Sequence, residues 1–111
     1  MLYKFKSKNT GDVIMLQPNG QRMLEIIGKH SATQPGVKGI LLPEQMTQAL
    51  AALELAIRQE EAARQAVIAQ AKAENLPAPQ FEAISLRQRV LPFMDMIRQC
   101  LQAEVPITWG V

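Results

Sequence analysis

The chain has little of the side-chain chemistry that catalysis and metal binding use most. It contains one cysteine, Cys100, and one histidine, His30, among 111 residues. A single cysteine excludes an internal disulfide and is typical of a reducing compartment. A zinc site ordinarily needs three or four ligands, and no general base is identifiable beside Cys100. The sequence therefore predicts no catalytic residue, no metal ligand and no cofactor, so the protein is not expected to be an enzyme.

Long apolar runs are also missing. A helix that spans a bilayer needs about 20 consecutive apolar residues, and no run in this sequence approaches that length. The opening residues, MLYKFKSK, carry no apolar core of a secretory signal. We therefore expect a soluble cytoplasmic protein without a membrane partner.

Clustered positive charge and aromatic side chains are scarce. The net charge is +2, and the aromatic residues are one tryptophan, one tyrosine and three phenylalanines. Nucleic-acid binding surfaces combine clustered basic residues with exposed aromatic rings, so a nucleic-acid partner is not expected. Weak binding of nucleic acid or anions remains the alternative function. The basic residues that would serve it are Lys4, Lys6 and Lys8 on one strand face, together with Arg22, Arg87 and Arg89.

What is present is the composition of one globular domain, residues 1–111, with 48% hydrophobic and 20% charged residues. Residues 2–6 alternate between apolar and basic side chains, which places Tyr3 and Phe5 on one face of a strand. Residues 13–16 are apolar, and the turn between these two segments predicts a β-hairpin. A hairpin alone is marginally stable in water, so it must pack on other elements.

A short helix is expected after the hairpin. From Gly20 onward, apolar residues recur with helical spacing, and Asn19 is the expected N-cap. Gly28 stands where a left-handed C-terminal residue belongs. Residues 29–39 have the composition of a loop.

A long helix from Pro43 to about Glu74 is the strongest structural prediction. The segment contains neither glycine nor proline after Pro43, and ten alanines lie between Ala49 and Ala73. About 32 helical residues extend over roughly 48 Å. A compact domain of this size is only about 35 Å across. Either the molecule is elongated or a second chain covers the excess, which makes a homo-oligomer or another protein partner a reasonable expectation.

A second long helix and a final strand complete the predicted fold. Ser85 and Gln88 form a capping-box pattern, and the helix that follows contains Pro92, which should kink or restart it. Residues 107–111 favour a strand that joins the hairpin. The prediction is an α+β fold, in which the hairpin and short helix precede a long helix packed antiparallel on a proline-kinked one.

Two small groups of residues are candidates for binding. The first follows a strand at Pro18-Asn19-Gly20, where a helix N-terminus offers backbone N–H groups, so Asn19, Gly20 and Arg22 are candidate anion-binding residues. A joint between strand and helix is the favoured explanation of this turn, because such turns occur at many strand–helix junctions and the phosphate-binding glycine motifs are missing.

The second group consists of candidate interface residues. Glu60 and Arg64 interrupt the apolar seam of the long helix, where a polar pair either is an exposed ion pair or fixes the register of a helix–helix interface. Trp109 is a further interface candidate.

Several blocks of the sequence resemble a known family. They are LYKFKSKNTGDVIML, PNGQRMLEIIGK, GILLPEQMTQALAALE and the closing ISLRQRVLPFMDMIRQC and PITWGV; LRQRVLPFMDM and TWGV are the most specific parts. They are similar to a family of small bacterial proteins classified only as a domain of unknown function. The resemblance implies a small intracellular bacterial protein of one domain and transfers no activity or ligand. The function expected from the residues is a non-catalytic protein–protein interaction or regulatory module.

Overall fold

The computed structural model describes residues 2–81 and 84–110. Its elements, in chain order, are β1 (Leu2–Lys6), β2 (Val13–Leu16), α1 (Gln17–Ile26), β3 (Gly39–Leu41), α2 (Pro43–Ala73), α3 (Leu86–Ala103) and β4 (Ile107–Trp109). The α+β prediction is confirmed, including the hairpin, the packing of α2 on α3 and the C-terminal strand. None of the helices in the described part combines the length and apolar character needed to cross a bilayer.

The four strands form one antiparallel sheet in the order β2-β1-β4-β3. Tyr3 and Phe5 face the helices and are buried, as the alternation predicts, whereas Lys4 and Lys6 lie on the exposed outer face. Because β1 pairs with strands on both sides, these lysines do not protect a sheet edge. The edge strands are β2 and β3.

Helix α1 begins earlier than predicted. It starts at Gln17 directly after β2, with Pro18 in the first turn, a position where the missing N–H costs nothing. The prediction of Asn19 as N-cap is therefore wrong, because Leu16 holds that place. The end of the helix is as predicted: Gly28 has φ of +82°, and the Lys29 N–H donates to the Leu24 carbonyl over 2.7 Å.

The prediction that Gly20 serves a turn is also wrong. Gly20 lies inside α1 and is buried against Tyr3 of β1. A Cβ atom on Gly20 would stand 2.5 Å from Cδ2 of Tyr3. Close approach of helix and strand, rather than a special backbone angle, explains the glycine at this position.

The predicted loop 29–39 ends one residue early, because Gly39 starts β3. The loop is held to the sheet through Gly36. The Gly36 carbonyl accepts a hydrogen bond from Nε1 of Trp109 over 3.0 Å, and its N–H donates to Nδ1 of His30 over 2.8 Å. Trp109 also packs on Phe5, with ring centroids 5.7 Å apart, and is only 1% exposed.

The two long helices overlap over only part of their length. α3 is a continuous helix through Pro92, capped by reciprocal bonds between Ser85 and Gln88. It packs on the part of α2 in which Met46, Leu53 and Ile57 are buried. Residues 61–73, which we call the distal half of α2, extend beyond the start of α3. The molecule is accordingly elongated, measuring 52 × 28 × 24 Å.

Candidate functional site

A cleft opens where the three helices meet. Its volume is about 230 Å³. The residues that line it are Pro18, Asn19 and Arg22 of α1, Glu60 of α2, and Leu86, Arg89 and Val90 of α3. The cleft thus has an apolar floor and a polar rim that carries both signs of charge.

Glu60 is the centre of this cleft. Its Oε1 accepts the N–H of Leu86, the first residue of α3, over 3.0 Å and lies 3.3 Å from Nη2 of Arg64. Its Oε2 lies 3.7 Å from Nη2 of Arg22. The first N–H groups of a helix have no partner inside the helix, and a carboxylate there also interacts favourably with the helix dipole. Glu60 therefore ties the start of α3 to the middle of α2.

Two further contacts surround this point. The Arg64 guanidinium lies over the ring of Phe81, 5.0 Å from its centroid. At the next residue along each helix, the Arg87 guanidinium donates to Glu61 over 3.0 Å. This hydrogen bond and the accompanying charge attraction lower the pKa of Glu61 from its ordinary value of 4.5. Arg87 and Glu61 therefore form a second link between the first turn of α3 and α2.

The structure brings together residues that the sequence treated as two separate groups. Asn19 and Arg22, proposed for anion binding, line the same cleft as Glu60, proposed for an interface. The Asn19 side-chain oxygen accepts from Nη1 of Arg89. Gly20 is not part of the cleft, because it packs on Tyr3.

Trp109 does not belong to any surface. It was a candidate interface residue, but its indole is enclosed in the core beneath the sheet. Burial of this large ring in a small domain is the stronger requirement, and it places Trp109 in the core.

The basic residues of the alternative function are divided between two surfaces. Lys4 and Lys6 lie on the outer face of the sheet, opposite the helices. Arg22 and Arg89 line the cleft, and Arg87 is paired with Glu61. The arrangement is not the continuous basic stripe that nucleic-acid binding ordinarily requires.

The residues with catalytic potential have structural contacts. Cys100 is fully buried in the core. Both ring nitrogens of His30 are engaged, one with the Gly36 N–H and the other with the side-chain amide of Gln21 over 2.8 Å. Within residues 2–81 and 84–110, no three acidic, histidine or cysteine side chains are grouped as metal ligands would be.

Replacing Glu60 with alanine is expected to lower the free energy of unfolding by about 1–2 kcal/mol, because the Leu86 N–H loses its acceptor. Glu60→Gln keeps an acceptor oxygen at the same distance and should cost less. Urea denaturation of both variants measures the difference. Equal stability of Glu60→Ala and the parent would show that this carboxylate does not fix the start of α3.

The comparisons with known proteins give one match. The family model described as a domain of unknown function (DUF1840) matches residues 1–109. No curated protein and no solved structure matches the chain. The resemblance to a domain of unknown function, predicted from the sequence blocks, is thereby confirmed.

Proposed function

The chain belongs to the DUF1840 family, a domain of unknown function, and we propose that it is a non-catalytic interaction module whose distal α2 half packs against a helix of a partner protein. A regulatory role would follow from such binding. The observation that carries this proposal is the exposure of residues 61–73.

The distal half is apolar in composition and open to solvent. Six alanines, one valine and one isoleucine occupy residues 61–73. Val67 is 47% exposed and Ile68 is 38% exposed. Within residues 61–73, Arg64 and Ala71 are partly buried and the other residues are exposed. Helix α2 ends at Ala73 with Glu74 as its C-cap, so it continues past the point at which the start of α3 packs on it.

Solvent exposure of this segment has a physical cost. Burying apolar surface away from water stabilises a protein by about 25 cal/mol per Å². A partner helix would bury Val67 and Ile68 and would stabilise the distal half, whereas a purely structural role does not require the extension.

Site-specific photo-crosslinking in the native cell tests the proposal. A benzophenone amino acid at Val67 should give adducts with the partner. The matched control is the same group at Leu55, which is 55% exposed on the same helix but lies in the half covered by α3. Adducts at Val67 that are absent at Leu55 support the proposal. Equal labelling at both positions, or none at Val67, would overturn it.

Anion binding in the cleft is the second candidate. The observation that favours it is that Arg22 and Arg89 line the cleft together, beside the carboxylate of Glu60. That carboxylate already occupies the position an incoming anion would take, which weakens this candidate. A saturable shift of arginine side-chain NMR signals with inorganic phosphate, lost in Arg22→Gln, would favour the anion function over ours.

We place the protein in the bacterial cytoplasm. Its lone, buried cysteine suits a reducing compartment. Fractionation of the native cell checks this placement.

A further inference from the structure

We propose that the outer face of the sheet binds an amphipathic helix of a partner protein, and that acidic residues flank the apolar stripe of that helix. This surface is separate from the distal half of α2, so the proposal does not depend on the function proposed above. The outer sheet face consists of the side chains of the four strands that point away from the helices: Leu2, Lys4, Lys6, Ile14, Leu16, Ile40 and Thr108.

The outer sheet face is unusually apolar for a surface in contact with water. An antiparallel sheet that leaves one face to solvent usually carries polar side chains there. Here the leucine and isoleucine side chains of the outer sheet face are between 40% and 62% exposed. Leu2 pairs directly with Leu16, and Ile14 lies on the same side of β2 as Leu16, so these three form one contiguous patch. A contiguous apolar patch on a surface is typical of an interaction site.

The charge on the outer sheet face has one sign. In the four strands, all of which the structure describes, the charged residues are Lys4 and Lys6. Neither lysine forms an ion pair within residues 2–81 and 84–110, and Asp12, which directly precedes β2, is not paired with Lys6. Because complementary charge favours association, an acidic partner fits this face better than a basic or neutral one.

The apolar and basic side chains lie along two neighbouring lines. β2 contributes Ile14 and Leu16, and β1 contributes Lys4 and Lys6, with Lys4 directly opposite Ile14. Neighbouring strands are about 4.8 Å apart, and outward side chains on one strand repeat every ~6.8 Å. On a helix, positions i and i+4 repeat every ~6 Å. A helix parallel to the two strands therefore sets its apolar stripe over β2 and acids one turn apart over Lys4 and Lys6.

Two other occupants fit this face less well. A second copy of the chain would bring Lys4 and Lys6 towards the same lysines of its partner, which is unfavourable. Nucleic acid binds without sequence preference where exposed rings stack on its bases. The aromatic side chains of the strands, Tyr3, Phe5 and Trp109, are instead buried on the inner face.

The size of the outer sheet face indicates a weak, reversible complex. Four strands of at most five residues cover roughly 19 by 17 Å. This area is less than half of the ~800 Å² that each partner contributes to a standard interface. We therefore expect dissociation constants of about 100 micromolar for one helix.

A pair of synthetic peptides tests the proposal. Both are 18-residue amphipathic helices with the same leucine stripe, flanked in one by glutamates at i and i+4 and in the other by lysines. In fluorescence anisotropy titrations with the full-length chain, the acidic peptide should bind about tenfold or more tightly than the basic one. Backbone amide NMR shifts caused by the acidic peptide should lie in β1 and β2.

Reversal of the charge on the sheet is the decisive variant. Lys4→Glu with Lys6→Glu should reverse the preference, so that the basic peptide binds about tenfold more tightly. Lys8→Glu with Lys72→Glu makes the same change of net charge at exposed positions outside the strands and should leave the preference unchanged. Ile14→Thr keeps a β-branched side chain and should weaken binding of the acidic peptide about threefold or more. Circular dichroism verifies the fold of every variant.

Three results would overturn the proposal. The first is that neither peptide binds at concentrations up to millimolar, and the second is that both bind equally. The third is that the acidic peptide binds the charge-reversed variant as well as the parent. Sedimentation with phosphatidylglycerol vesicles distinguishes a lipid surface: vesicle binding that Lys4→Glu with Lys6→Glu abolishes, without binding of the acidic peptide, would assign the face to a lipid and overturn the helix.

Discussion

Replacing Trp109 with alanine is expected to lower the free energy of unfolding by about 3–5 kcal/mol. The indole is 1% exposed and packs between Phe5 and the backbone of Gly39, where an added Cβ would stand 2.6 Å from the ring. Its removal leaves a cavity and also deprives the buried Gly36 carbonyl of its donor. Natural domains have free energies of unfolding of about 5–15 kcal/mol, so this substitution would remove a large part of the stability.

Trp109→Phe separates the two contributions. Phenylalanine keeps a ring in the cavity and loses the hydrogen bond to Gly36, so its cost should fall clearly below that of alanine. Guanidinium denaturation followed by far-UV circular dichroism measures both variants, because they lack the single tryptophan that would report by fluorescence. A Trp109→Ala variant within about 1 kcal/mol of the parent would contradict the role given to this side chain.

Replacing Gly20 with valine is the second large effect, with an expected loss of about 3 kcal/mol. A side chain on this residue collides with the ring and Cβ of Tyr3, and the three nearest distances from the new Cβ are 2.5, 2.9 and 3.0 Å. Tyr3 is buried in β1, so it cannot swing into solvent without opening the contact between α1 and the sheet. Thermal unfolding of the variant measures the loss.

Two matched variants define what is specific to Gly20. Gly11→Val places the same side chain where no atom lies within 4 Å of the new Cβ, and its effect should be small. Arg22→Ala, on the exposed side of α1, should change stability by no more than about 0.5 kcal/mol. If Gly20→Val unfolds at the same temperature as Gly11→Val, close packing of α1 on β1 is not the reason for the glycine.

The fold could be predicted where a local pattern and a packing requirement agree. The alternation in β1, the alanine-rich α2 and the Ser85–Gln88 cap each specify an element, and each lies where the sequence places it. β3 was missed because three residues are too few to show a period, and its pairing with β4 is what makes it a strand. The start of α1 was misplaced because Asn19 and Gly20 are common in turns, whereas the structure places both inside the helix and packs Gly20 on Tyr3.

The candidate site was predictable in its parts but not in its assembly. Glu60 was noticed because it breaks an apolar seam, and Arg22 because it follows a helix start. That they meet depends on the angle between α1 and α2, which no local pattern contains. The contact of Glu60 with the Leu86 N–H joins residues 26 positions apart and likewise requires the tertiary structure. The length of α2, by contrast, already indicated that part of it would extend beyond its neighbours.

The elongated shape changes how the protein will behave in solution. With one axis of 52 Å and two of 28 and 24 Å, a single chain tumbles and diffuses more slowly than a sphere of equal mass. On a gel-filtration column it will elute early, at an apparent mass above 12.3 kDa, even when it is entirely monomeric. A mass calculated from the retention volume would therefore suggest a dimer even for a monomer. The oligomeric state must be determined by a method that measures mass independently of shape.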